Sequence, residues 1–267
     1  MQSIQLPDTL REIGRIAFVH CKSLLSVYIP ASVKEIAYDA FVDCTSLQSV
    51  CFPEDATFTT QGRMAERVIN EGFRGCDKLR HAAGDNNIDI FNWLCHRFDD
   101  LPIHQACYRY GNDEFTTLSF VSTVVQENKQ TMMTTDRMGM TCLHILSCNP
   151  RATVEVMQLL VEEEPSLLGR TDDFGNTPLQ LFLKCRNLPG ADQAAMPSVR
   201  NLLEEGISGD DLAILLVAFN GNRQINLLSP DEETGLLPFM SAAASPACGL
   251  DAVFTFAMNT NLDMILK

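Results

Sequence analysis

Cys142, His144 and Cys148 bring two thiols and an imidazole into one short segment, the donor types of a transition-metal site. A zinc knuckle separates its cysteines by about two to four residues and needs a matching second pair. These cysteines are six apart and have no such pair. Cys95/His96 and His104/Cys107 lack an assembled partner set as well. His104 and His144 are therefore expected to hold no metal. Paired carboxylates occur at Asp99-Asp100, Asp172-Asp173, Asp210-Asp211 and Glu232-Glu233. Hydrolytic chemistry needs two carboxyls held across a cleft with divergent pKa values. These pairs are expected at helix starts and turn tips, where negative charge favours the helix dipole. No Gly-x-Gly, Gly-Lys-Ser/Thr, Gly-x-Ser-x-Gly or His-Glu-x-x-His occurs. No catalytic residue and no cofactor is expected, and the chain reads as a non-enzyme. A thiol-dependent enzyme is the alternative, and it would require a cysteine of depressed pKa in an open pocket.

The elements that must position these residues are repeats. Ala17-Phe18, Cys21, Leu24, Val27, Ile29 and Pro30 recur 23 positions later as Ala40-Phe41, Cys44, Leu47, Val50, Phe52 and Pro53. Ile4, Leu6 and Pro7 are the same strand one period earlier. Within each strand, alternation turns Ile4/Leu6, Val27/Ile29 and Val50/Phe52 inward and leaves Gln5, Tyr28 and Cys51 outward. Proline follows each strand and ends its pairing. The Ala-Phe-x-x-Cys segment reads as a short helical turn with phenylalanine inside. A third copy, Val68, Gly72-Phe73, Cys76 and Leu79, follows an insertion of about nine residues near Glu54–Arg67. Its strand positions decay to Ala82 and Gly84. "LLSVYIPASVKEIAYDAFVDC" resembles the BspA-type leucine-rich repeat, and the resemblance covers residues 3–82. It implies a stacked solenoid with one strand and a loop or short helix per turn.

After Asp85-Asn86-Asn87 the rhythm becomes helical. Ile88, Phe91, Trp93-Leu94 and Phe98 predict an amphipathic helix that covers the open end of the rack. Leu101-Pro-Ile-His104, Thr141-Cys-Leu-His144 and Thr177-Pro-Leu-Gln180 are variants of one tetrapeptide. The second and third follow Asp136-x-x-Gly139 and Asp172-x-x-Gly175. This resembles the ankyrin repeat, in which proline opens the first helix, glycine supplies a positive φ before it and the histidine bonds backbone near the turn, a role the resemblance implies for His104 and His144. Second helices are expected near Leu118–Glu127, Thr153–Glu163 and Val199–Glu205, with an added helix near Asp211–Phe219. Glu232-x-x-Gly235-Leu-Leu-Pro238-Phe239 is a distant fourth copy. The spacings from Pro102 to Cys142, Pro178 and Pro238 are 40, 36 and 60, so the repeats are irregular. The two repeat types, joined through "NWLCHRFDDLPIHQACY", resemble a class of uncharacterised repeat proteins of diatoms.

The fold class expected is an α+β repeat protein. A leucine-rich-repeat solenoid (1–84) is followed by a linker or junction helix (85–99) and an all-α, ankyrin-like array with insertions (100–267). Net charge is −2 over residues 1–87 and −12 over 88–267, which repels nucleic acid and anionic membrane and favours basic protein segments as partners. The longest apolar run, Leu212–Phe219, is far short of the ~20 residues a membrane span needs. No signal-peptide pattern opens the sequence, and no Asn-x-Ser/Thr sequon occurs. With ten cysteines read as reduced core thiols, the expected location is cytoplasmic or nuclear.

Function is therefore expected from surfaces: a scaffold or adaptor that binds proteins, with an adhesion protein as the alternative. The ankyrin resemblance implies contacts from finger-tip positions, here Arg137, Met138, Met140, Asp173, Phe174, Asn176, Glu233 and Thr234. Phe174 and Met138 are the expected centre. Tyr28, an aromatic on the outward strand row, is the rival anchor.

Overall fold

Because the sequence repeats every 23 residues, each strand should lie on its own copy, and it does. A computed structural model describes residues 3–30, 32–37, 39–51, 73–83, 93–94, 96–111, 115–188, 202, 206–219, 235–236 and 238–244. Its strands are β1 (Ser3–Gln5), β2 (Glu12–Ile13), β3 (Ser26–Tyr28), β4 (Glu35–Ile36) and β5 (Ser49–Cys51). β1, β3 and β5 form a parallel sheet in that order, with Ile4 opposite Val27 and Val27 opposite Val50. β2 and β4 make a second parallel pair, Ile13 opposite Ile36. A parallel connection needs a crossover of a dozen residues or more, and one coil of the solenoid supplies it.

Inside the coils, Phe18, Phe41 and Phe73 stack face to face at 5.1 and 5.6 Å between centroids. The Ala-Phe-x-x-Cys segments are turns, and the expected short helix is absent from them. The reason is the residue before each cysteine: His20, Asp43 and Gly75 all take a left-handed φ of 58°, 60° and 77°, which a helix cannot contain. The thiols then close the stack, Cys44 Sγ donating to the Phe18 carbonyl and Cys76 Sγ to that of Phe41, both at 3.1 Å. The third copy does not decay into a weak strand. It runs into helix α1 (Asp77–Ala83).

The described helices that follow are α2 (Pro102–Arg109), α3 (Leu118–Glu127), α4 (Cys142–Cys148), α5 (Val154–Glu163), α6 (Pro178–Cys185), α7 (Gly209–Val217) and α8 (Pro238–Ala244). Proline opens α2, α6 and α8, where its missing N–H is not needed. Thr177 caps α6 reciprocally: its hydroxyl accepts from Gln180 N, and its own N–H donates to Gln180 Oε1 at 2.8 Å. Helices α2, α4 and α6 pack in one layer and α3, α5 and α7 in another. α7 was expected as an added helix, yet it takes the second-layer place beside α5. Of the second helix expected at Val199–Glu205, only Leu202 is described, and it is buried.

One hydrophobic core runs through both halves, with Trp93, Leu94 and Phe98 between them. Tyr28, expected as an outward anchor, is buried. Alternation turns it away from the solenoid interior, but it is 7% exposed, and the Arg151 guanidinium lies 5.6 Å above its ring. The helical half covers that face of the sheet: Tyr108 Oη donates to the Val50 carbonyl at 2.6 Å, and Arg97 Nη1 to that of Gln48 at 3.1 Å.

Candidate interaction face

Each Asp-x-x-Gly segment builds a finger by a local rule. Asp136 Oδ1 accepts from the N–H groups of Met138 and Met140 at 2.8 and 2.9 Å. Asp172 Oδ1 does the same for Phe174 and Asn176 at 2.9 and 2.7 Å. Gly139 and Gly175 supply φ values of 71° and 78°, so the chain reverses tightly under its own carboxylate. The fingers are tied tip to tip by Asp173 N donating to the Met138 carbonyl at 3.0 Å. A Cβ on Gly139 would come within 2.4 Å of Asp173 Oδ1, so the contact requires glycine there.

Histidines set the spacing between helices and fingers. His104 Nε2 bonds the Met140 carbonyl at 3.1 Å, and His144 Nε2 bonds that of Asn176 at 3.0 Å. His144 Nδ1 accepts from Thr141 N at 3.1 Å, which leaves the proton on Nε2 and both nitrogens used. Burial pushes His104 down to about 4 and also lowers His144, so both are neutral donors at pH 7. No group of three or more metal donors occurs among the described residues.

The expected tip residues divide. Met138 and Met140 are fully buried, because the Arg97 guanidinium lies on both sulfurs at 3.3 and 3.2 Å. Asn176 is buried against Asp172, with Lys184 Nζ on its Oδ1 at 2.9 Å. Arg137 and Asp173 are exposed, and Phe174 is half-buried. Glu233 and Thr234 lie outside the described residues. Phe174 meets α1: Lys78 Nζ sits 4.5 Å over its ring, and His81 approaches edge-on at 6.1 Å.

Arg97 escaped the sequence reading. It is a buried cation whose Nε and Nη2 both reach Asp136 Oδ2, with Trp93 and Phe98 about its plane. The available signal was an arginine between two aromatics in an apolar run. Arg186 also went unread, and it joins Asp211 to the carbonyls of Ser147 and Asn149.

The thiols described by the structure are poorly placed for nucleophilic work. Cys107, Cys142, Cys148 and Cys185 are buried and unbridged. A partner thiol and burial push Cys107 and Cys148 far up. Cys185 and Cys44 are lowered by their partner thiols yet sealed from solvent, while half-buried Cys21 is raised. No helix among the described residues is long and apolar enough to cross a membrane.

Residues 1–91 match the family model of the BspA type leucine-rich repeat region, in six copies. No curated protein and no solved structure matches the chain. Leucine-rich repeats generally mediate protein–protein interaction or adhesion, and the family is typically non-enzymatic.

Proposed function

We propose that the chain is a non-enzymatic scaffold or adaptor that recognises protein segments, with residues 1–84 as a leucine-rich-repeat solenoid, 85–99 as the junction and 100–267 as an ankyrin-like array with insertions. The observation that carries this reading is the finger row. Two tight turns, each closed by an aspartate and pinned by a histidine, are tied to each other through Asp173; they present Arg137 and Asp173 to solvent and set Phe174 against helix α1. Rigid presentation of a few side chains lowers the ordering cost of binding. Truncating an aromatic anchor in such a face typically costs ~2 kcal/mol or more of affinity.

A photo-crosslinking amino acid at Arg137 tests it against one at Glu155, on α5. Proteins captured from Arg137 and not from Glu155 support the finger face. Capture from Glu155 alone, or from neither, overturns it.

A further inference from the structure

The chain carries a net charge of −14, yet three of its cations gather around Phe174, where they balance the carboxylates present. Lys78 lies over its ring, His81 stands at its edge, and Lys184 is bonded to the same finger through Asn176. Arg137 is exposed on the neighbouring finger, which the Asp173–Met138 backbone bond holds alongside. Three carboxylates lie nearby. Asp172 is buried, with Oδ1 on the Phe174 and Asn176 N–H groups and Oδ2 on the Asn176 amide. Asp77 and Asp173 are exposed. Among the described residues, the ammonium of half-buried Lys78 makes no hydrogen bond and no ion pair; it lies over the Phe174 ring, and the nearby Asp172 carboxylate is committed to its own finger.

We propose that the face formed by α1 and the second finger docks an acidic peptide segment, with one carboxylate on Lys78 and the adjoining methylenes on the Phe174 ring. This rests on the scaffold reading above and names the chemistry of its partner. An ammonium partly withdrawn from water is incompletely compensated by a ring and by a carboxylate already bonded elsewhere, and an arriving carboxylate supplies the direct partner it lacks. Burial holds the Lys78 ammonium below the usual lysine range, the Asp172 carboxylate opposes that shift in part, and the like charge of Lys184 adds to it. A basic segment laid on the Phe174 ring would set like charge against Lys78, and such juxtaposition disfavours it there. The acidic surplus elsewhere keeps acidic segments off the remaining surface, which sharpens the selection.

The test uses the full chain and a fluorescein-labelled Glu-Glu-Leu-Glu-Glu peptide, read by fluorescence anisotropy. Saturable binding is expected, weakened about tenfold by Lys78→Gln, retained by Lys78→Arg and unchanged by Lys22→Gln on the solenoid. Circular dichroism and a matched melting temperature establish that each variant is folded, and Phe174→Leu serves as the second probe should Lys78→Gln unfold. No binding, equal binding by Lys78→Gln and wild type, or binding of a phosphoserine peptide in place of the glutamate peptide overturns the proposal. Capture from Arg137 without binding of the acidic peptide would sink this inference and leave the scaffold reading standing.

Discussion

Arg97 is the residue on which most depends, since it touches the strand sheet, the junction aromatics and the first finger at once. Removing one partner of a buried ion pair strands the other, so Arg97→Ala should cost about 3–5 kcal/mol in urea unfolding. The pair Arg97→Met/Asp136→Asn should recover a large part of that loss, because neither charge is then left alone. Gln48 makes the opposite case. Its carboxamide is buried, and neither polar atom has a partner, so Gln48→Leu should be neutral or stabilising. A clear loss of stability in that variant would reveal a bonded water. His104 governs the acid limb of stability. Its folded pKa of about 4 lies below the usual 6.5, so the unfolded chain binds more protons between those values. The stabilisation is complete above pH 6.5, declines as pH falls towards 4, and amounts to about 3 kcal/mol over that window. Denaturation of wild type and His104→Gln across pH 4–7 should show the slope flattened in the variant. Parallel profiles would mean that the imidazole does not titrate as its burial requires.

Among the elements, the coil turns show how far a sequence can be read. Phenylalanine spacing, strand register and the proline starts of helices were all legible, since each follows from a local period or a missing N–H. The left-handed residue before each cysteine was not, because His20, Asp43 and Gly75 share a conformation and no chemistry. Gly75→Ala would drive a Cβ to within 2.0 Å of Asp43 Oδ1 at positive φ and should cost about 1–2 kcal/mol. His20→Gly should instead be neutral or stabilising by up to about 1 kcal/mol, and equal losses from both variants would refute a conformational origin. The finger turns were legible from Asp-x-x-Gly, but the burial of Met138 and Met140 was not. It depends on Arg97, some forty residues away, and no local pattern announces a contact at that range. Tyr28 is hidden for the same kind of reason: alternation reports which side of a strand a residue takes, and it is silent about what later packs there.

For the whole molecule, the question is whether the strand repeats and the helical layers behave as one body. Repeat arrays are held by nearest-neighbour interfaces, so a weak junction lets each part unfold alone. Here the junction is extensive: the core is continuous, and buried hydrogen bonds from Arg97 and Tyr108 end on strand carbonyls. The outer tie between Arg151 and Asp8 adds little, as the carboxylate is 68% exposed, and Asp8→Ala should cost less than about 1 kcal/mol. Trp93, the sole tryptophan, sits buried at the junction, so its fluorescence reports the seam while far-ultraviolet circular dichroism reports the helices. In urea the two signals should fall together in one transition, and Arg97→Ala should either shift both equally or separate them with the tryptophan leading. The four buried helical thiols, Cys107, Cys142, Cys148 and Cys185, should react with an aromatic disulfide reagent only across that same transition. Tryptophan exposure well before helix loss in the wild-type chain would mean that the halves are joined in series. The finger face could not then use α1 as a fixed wall.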